Sequence, residues 1–252
     1  MHFFIKLAEQ IIEVKSMYDK VCSMCQRYII SDSTHIEPDI VIETSRSDLE
    51  KFRENTNIEN DARQNDISHN EYLETLSVYT KIANAMIEYD TLLIHGSVVS
   101  TGGNGYMITA PSGVGKTTRT DLWVKNIPET IVINGDKPLI KISDEEVIVY
   151  GTPWCGKEGW NNNIGVPLRS VLFLERADNG EKDEVTEIDA GSGVIKLFSQ
   201  TYQPPGNKMN RIFHLLHRMN GKVKFYNFRS SPTSEAVKLA YGTINSEQQS
   251  DT

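Results

Sequence analysis

With 252 residues, 38% of them hydrophobic, the chain can bury a substantial core as one large α/β domain or as a main domain with an accessory segment. A formal net charge of −8 with dispersed Lys and Arg excludes a role built on phosphate-backbone contacts, so no nucleic-acid partner is expected. No stretch reaches transmembrane length and the first ten residues lack a secretory pattern. The three cysteines offer only one C-x-x-C, Cys22 and Cys25, short of the ligands a structural zinc needs, so the expected setting is a reducing cytoplasm without membrane association.

Residues 3–14 are apolar in a way that fits a strand as well as a helix, whereas 36–43 alternate around Ile40, Val41 and Ile42 as a short strand. Val21, Met24 and Tyr28 make the cysteine region an ordinary apolar face. Residues 44–69 are polar and read as a solvated loop or helix surface, so 1–66 form an N-terminal accessory segment and 67–252 the core. In the core, Leu73, Leu76, Tyr79, Ile82, Ala83 and Met86 recur at helical spacing, predicting a helix over 71–88. Residues 91–100 and 106–110 read as two strands of a hairpin around the glycine-rich turn at 102–105. A helix over 115–125, strands at 130–134, 138–142, 147–150, 169–175 and 222–228, and helices at 191–202, 207–219 and 234–241 follow, with a frayed tail at 245–252. Strands alternating with helices around a Gly-rich turn predict an α/β architecture.

The richest chemistry lies in that turn. Ser112-Gly113-Val114-Gly115-Lys116-Thr117-Thr118 places small residues between an apolar strand and a helix start, so backbone N–H groups can turn inward around phosphates. Lys116 neutralises β/γ-phosphate charge, and the Thr117 hydroxyl serves magnesium. The consensus phosphate-loop pattern begins with glycine where this chain has Ala110. An acid at the end of a neighbouring apolar strand is also required, and Asp136 after Ile131-Val132-Ile133-Asn134-Gly135 supplies it as the second magnesium-linked group. The competing reading is a surface-turn aspartate.

With His95-Gly96-Ser97, the loop from Ala110 to Thr118, Asn134-Gly135-Asp136-Lys137-Pro138 and Gly151-Thr152-Pro153-Trp154-Cys155-Gly156-Lys157 in view, residues 92–244 resemble the HPr kinase/phosphorylase-like proteins, the P-loop kinases related to phosphoenolpyruvate carboxykinase. The resemblance implies a P-loop kinase core with a mixed sheet and flanking helices. It also implies ATP or another nucleoside triphosphate with Mg2+, and γ-phosphoryl transfer to a hydroxyl, serine above all, of a protein, peptide or small molecule. Homo-oligomers are the rule in that family. HPr kinases often carry paired acids after the second strand, whereas Gly135 here stands beside a lone Asp136. Carboxykinase or phosphorylase chemistry on the same fold, and a non-catalytic nucleotide-binding regulator, remain as alternatives.

A hydroxyl acceptor needs a group to take its proton, and Asp136 and His95 are the candidates. The Gly- and Trp-rich residues 151–160 read as a shaped loop in which Lys157 holds the transferring phosphoryl group, Glu158 supports magnesium or orients the acceptor, and Trp154 and Trp160 line the acceptor pocket. A core-plugging loop with solvated Lys157 and Glu158 is the alternative. Cys155 reads as a packing residue. Lys208, Arg211, His214 and Arg218 form a basic stripe, suited to an acidic partner or simply to solvent.

Overall fold

The computed structural model describes residues 1–32, 36–55, 67–177 and 181–250, and the chain divides into two compact units, Met1–Tyr89 and Asp90–Thr252. The first opens with β1 (His2–Leu7) and β2 (Gln10–Lys15), which pair antiparallel with Phe3 opposite Val14 and Ile5 opposite Ile12. Their two-residue turn, Ala8 and Glu9, has φ of 43° and 73°, so it is a hairpin turn without the usual glycine. Helix α1 (Asp19–Met24) follows, then β3 (Ile40–Glu43), which joins β2 in parallel, then α2 (Arg46–Asn55) and α3 (Ile67–Met86). Cys25 is buried beside Val21 and Tyr28, and burial pushes its thiol up to about 12, in keeping with an apolar packing face.

Helix α3 packs against α1, α2 and β3 through a face that includes Leu73, Val78 and Ile82. The division between the units therefore falls after Tyr89, not at the residue 66 boundary that polarity suggests. At the heart of this unit the fully buried Glu74 carboxylate accepts the backbone N–H groups of Met17 and Tyr18 and the Thr44 hydroxyl, an internal cap for the chain leaving β2.

The second unit begins with β4 (Thr91–Leu93), β5 (Ser97–Thr101) and β6 (Asn104–Thr109). After α4 (Lys116–Asn126) come β7 (Thr130–Asn134), β8 (Leu139–Ile142), β9 (Val147–Tyr150), β10 (Gly165–Arg176) and β11 (Glu184–Ile188). Helices α5 (Ala190–Phe198) and α6 (Met209–His217), strand β12 (Lys224–Ser230) and helix α7 (Ser234–Ser250) complete it. Among the described residues these strands form one mixed sheet in the order β4-β8-β9-β10-β6-β5-β7, with β12 joining β10 and β11 joining β12. Strand β10 is its spine. The Gly165–Pro167 end pairs antiparallel with β9. Beyond an irregularity between Leu168 and Ser170, the rest runs parallel to both β6 and β12.

Helices α4 and α7 cover one face of the sheet, where Tyr106, Ile108, Trp123, Leu172, Tyr226 and Ile244 belong to one core cluster. Each fully buried aliphatic side chain there contributes roughly 1.5–3 kcal/mol. Ile244 explains why α7 runs to Ser250 where polarity predicts fraying from 245: it is fully buried, and the Tyr106 hydroxyl reaches Asn245 Oδ1 at 3.2 Å. Helix α5 lies on the other face, where a Cβ at Gly193 would strike the Phe225 ring at 2.3 Å. On α6 the basic stripe is partly spent inside the molecule, since Arg211 and Arg218 both pair with Asp90 and Arg218 also with Asp144. No helix among the described residues is long and apolar enough to cross a membrane.

Candidate active site

The mixed sheet brings three chain segments to one edge. Strand β6 delivers the glycine loop at its C-terminal end. Strand β5 is antiparallel to β6, with Ser97 opposite Ile108, so the residues preceding it sit beside that loop. Strand β7 is antiparallel to β5, with Val98 opposite Asn134, so its own C-terminal end arrives at the same edge. His95, the loop 110–115 and Asp136 are thereby neighbours although they span 42 positions of sequence.

Within the loop, Gly113 and Gly115 adopt φ of 82° and 114°, which disfavours other residues, and a Cβ at Gly115 would meet the Arg119 guanidinium at 2.5 Å. Ala110 is buried in the same cluster as Ile108 and Trp123, so its methyl group fills core space where the consensus glycine would leave it empty. Lys116 is buried at the helix start, and its Nζ donates to Ala110 O at 2.8 Å. Burial pushes this ammonium below the ordinary lysine value, Asp136 partly offsets that, and Lys137 adds to the depression. Ser112, Gly113, Thr117 and Thr118 are exposed and Val114 half-buried, leaving the loop rim open. Two arginines outside the motif brace it. Arg176, at the end of β10, donates to Gly113 O and, at 2.9 Å, to Val114 O, while buried Arg119 ties α4 to Ser230 O at the end of β12.

His95 lies in a break between β4 and β5, not on the continuous strand that the apolar run 91–100 suggests. Glycine suits this break, since a Cβ at Gly96 would fall 2.3 Å from the Met107 methyl, and the Gly96 N–H donates to Asp136 O at 2.9 Å. His95 Nε2 stands 3.3 Å from Asp136 Oδ1, and Nδ1 stands 3.2 Å from Gln200 Oε1. Burial raises the Asp136 carboxyl, but the His95 hydrogen bond and the charges of Lys137, His95 and Lys116 outweigh it and hold the group below its ordinary value.

Asn134, fully buried, shapes the turn that carries Asp136. Its Oδ1 accepts the N–H groups of Asp136 at 2.9 Å and Lys137 at 2.7 Å, and its Nδ2 donates to Thr152 O at 3.0 Å. Thr152 in turn donates its hydroxyl to Lys137 O at 2.7 Å. The 151–161 loop is thus laced to the Asp136 turn, with Gly135 N–H also donating to Trp160 O at 2.9 Å. Position 135 has no room for the second acid of the HPr kinase pattern: a Cβ there would lie 2.5 Å from Cys155 O, a backbone atom.

Of the residues expected in this loop, Glu158 is brought near Asp136. A Cβ at Gly156 would stand 3.4 Å from Glu158 Oε2 and 3.5 Å from Asp136 Cβ. Lys157 is exposed, and Trp154 and Trp160 are half-buried. Cys155 is buried, with Asn161 Nδ2 at 3.0 Å from its sulfur, consistent with packing. Arg119, Arg176 and Gln200 lie outside the motifs that the sequence offers, and Asn134 and Thr152 lie within them without an assigned role. Of these only Asn134, in its Asn-Gly-Asp turn, carries a local signal.

Among the described residues no three His, Cys, Asp or Glu side chains cluster as a metal cage. The donors at hand, the Asp136 carboxylate and the Thr117 hydroxyl, fit Mg2+, which fills much of its octahedron with phosphate oxygens and water. An open cavity of about 520 Å³ lies between Pro111–Val114 and Leu174–Arg176. Another of about 620 Å³, lined by Asn104, Arg169 and Lys224, lies at the opposite ends of β6 and β12, away from this chemistry.

No protein-family model and no curated protein matches the chain. Among solved structures it is similar to the HPr(Ser) kinase/phosphatase from Coxiella burnetii, with a TM-score of 0.36 and 8% identity over 64% of this chain and 99% of that one. The likeness is distant, and the functional argument rests on the site's own geometry.

Proposed function

We propose that this protein is an ATP- and Mg2+-dependent phosphotransferase that moves the γ-phosphoryl group to a hydroxyl, serine in the first instance, of a protein, peptide or small molecule. The observation that carries the reading is the gathering, at one sheet edge, of a buried lysine at a helix N-terminus and an ionised aspartate paired with a histidine. A glycine loop alone would support phosphate binding; the Asp136–His95 pair adds a place for the acceptor's proton.

In this reading the backbone N–H groups of 113–116 and the start of α4 take the phosphates, and Lys116 exchanges its contact with Ala110 O for β/γ oxygens. Thr117 and Asp136 would hold magnesium, which supplies charge neutralisation at the transferring group. The acceptor hydroxyl's proton passes to the Asp136–His95 pair, whose orientation Gln200 fixes at Nδ1. Glu158, on the loop laced to the Asp136 turn, would orient the acceptor.

Thermal unfolding with ATP and Mg2+ tests the first half: ligand at 100 times its Kd adds about 2.7 kcal/mol of stability, and no shift would refute the reading. For the second half, labelled γ-phosphate is followed onto serine-containing peptides. Asp136→Asn is expected to keep nucleotide binding and lose transfer, and Lys116→Ala to lose both. Binding by the wild type without turnover on any acceptor would favour a nucleotide-binding regulator instead.

A further inference from the structure

We propose that Lys137 is a second phosphate-binding cation, the group that lets the site distinguish a triphosphate from a diphosphate; this rests on the nucleotide-binding reading above. The residue is pinned on both sides, its N–H donating to Asn134 Oδ1 and its carbonyl accepting from Thr152 Oγ1, each at 2.7 Å, and buried Pro138 follows. Its Cα is therefore as fixed as that of Asp136. The side chain is half-buried, yet among the described residues its ammonium has no hydrogen bond and no ion pair. Half-burial strips part of the water from this ammonium, and no hydrogen bond among the described residues replaces it.

The charge pattern at the site points the same way. Lys137 interacts electrostatically with both Asp136 and Lys116, so two ammonium groups share one carboxylate at the edge that faces the glycine loop. A polyphosphate satisfies this arrangement in a way that no side chain present does. In the proposed complex Lys116, at the loop itself, takes the β-phosphate, and Lys137, on the turn that carries Asp136, takes the transferring end. Lys157, the lysine that the loop composition favours, is exposed by comparison.

Isothermal titration of the full chain with ATP and with ADP, both with Mg2+, tests the assignment. The wild type is expected to prefer ATP. Lys137→Met should cut that preference tenfold or more while leaving ADP affinity within threefold, and Lys137→Arg should retain most of it. Because no hydrogen bond is lost, Lys137→Met should also unfold at the same or a higher temperature than the wild type. Should that variant prove unstable, Lys137→Gln is read in the same ratio. An ATP-to-ADP preference within twofold of wild type in either neutral variant overturns the role of Lys137 alone. Failure of the wild type to bind either nucleotide overturns the nucleotide-binding reading, and this proposal with it.

Discussion

Replacing Gly135 by alanine should destabilise the second unit, and the sign of the effect is the informative part. At a position with room for a methyl group, Gly→Ala stabilises by about 0.4–1 kcal/mol through the unfolded chain. Here the new Cβ would stand 2.5 Å from Cys155 O and 3.5 Å from Trp160 Cβ. A carbonyl oxygen cannot swing aside as a side-chain end can. The end of β7 would have to part from the 151–161 loop, straining the Gly135 N–H bond to Trp160 O and the Asn162 N–H bond to Ile133 O, both 2.9 Å. Overpacking of this kind costs roughly 1–3 kcal/mol, which at about 2–4 °C per kcal/mol lowers Tm by roughly 2–12 °C. Circular dichroism melts of the two proteins decide the matter. Gly135→Asp, the change toward paired acids, should melt lower still and transfer phosphate more slowly than wild type. An unchanged or raised Tm in Gly135→Ala would refute the steric argument, and faster transfer in Gly135→Asp would show that a second acid is missing for some other reason.

Three further expectations follow from buried groups. Glu74→Ala orphans the N–H groups of Met17 and Tyr18, while the Thr44 hydroxyl keeps the Lys15 carbonyl at 3.3 Å, and at about 1–3 kcal/mol for each unsatisfied donor the first unit should lose at least ~2 kcal/mol in urea titration. Ile244→Ala should cost roughly 2–5 kcal/mol, measured in the same way, and a negligible loss would show that this end of α7 does not pack on the sheet. Asp136 is held below its ordinary value, so it stabilises the fold above the unfolded pKa of about 3.9, and that contribution fades as pH falls through the lower folded value. The stability gap between wild type and Asp136→Asn should accordingly be constant at neutral pH and close only in acid; a gap that narrows between pH 7 and 5 would contradict the assignment.

Much of the α/β order was legible because apolar runs and glycine turns mark strands and their joints, as at β5, β6 and α4. The hairpin of β1 and β2 was not, because Ala8 and Glu9 turn the chain without the Asn-Gly or Asp-Gly pair that advertises such a turn. Strand β11 escaped because Glu184-Val185-Thr186-Glu187-Ile188 is an edge strand with little buried on either face. The break at His95 was invisible for a different reason: its backbone N–H groups at His95 and Gly96 go to Gln200 O and Asp136 O, partners distant in sequence, and no local pattern records that. At the site the motif residues 112–118 were readable from chemistry and spacing alone. Their supports were not, since Arg176, Gln200 and Thr152 reach the loop, His95 and the Asp136 turn only once β10, the segment after α5 and the 151–161 loop are folded into place.

The two positions at which the chain differs from the motifs it resembles have opposite physical characters. At Ala110 the chain adds a methyl group that the core accepts, and the carbonyl of that same residue still receives the Lys116 ammonium, so the loop keeps its geometry. At Gly135 the chain removes a side chain because the 151–161 loop comes down onto the turn. That close approach is what allows Thr152 to hold both Asn134 and the carbonyl of Lys137. The absence of a second acid and the rigidity of the Asp136-Lys137 turn therefore have one structural cause. On the proposed reading, a site with one fixed carboxylate and two nearby ammonium groups would rely more on cationic stabilisation of phosphate than on a carboxylate pair.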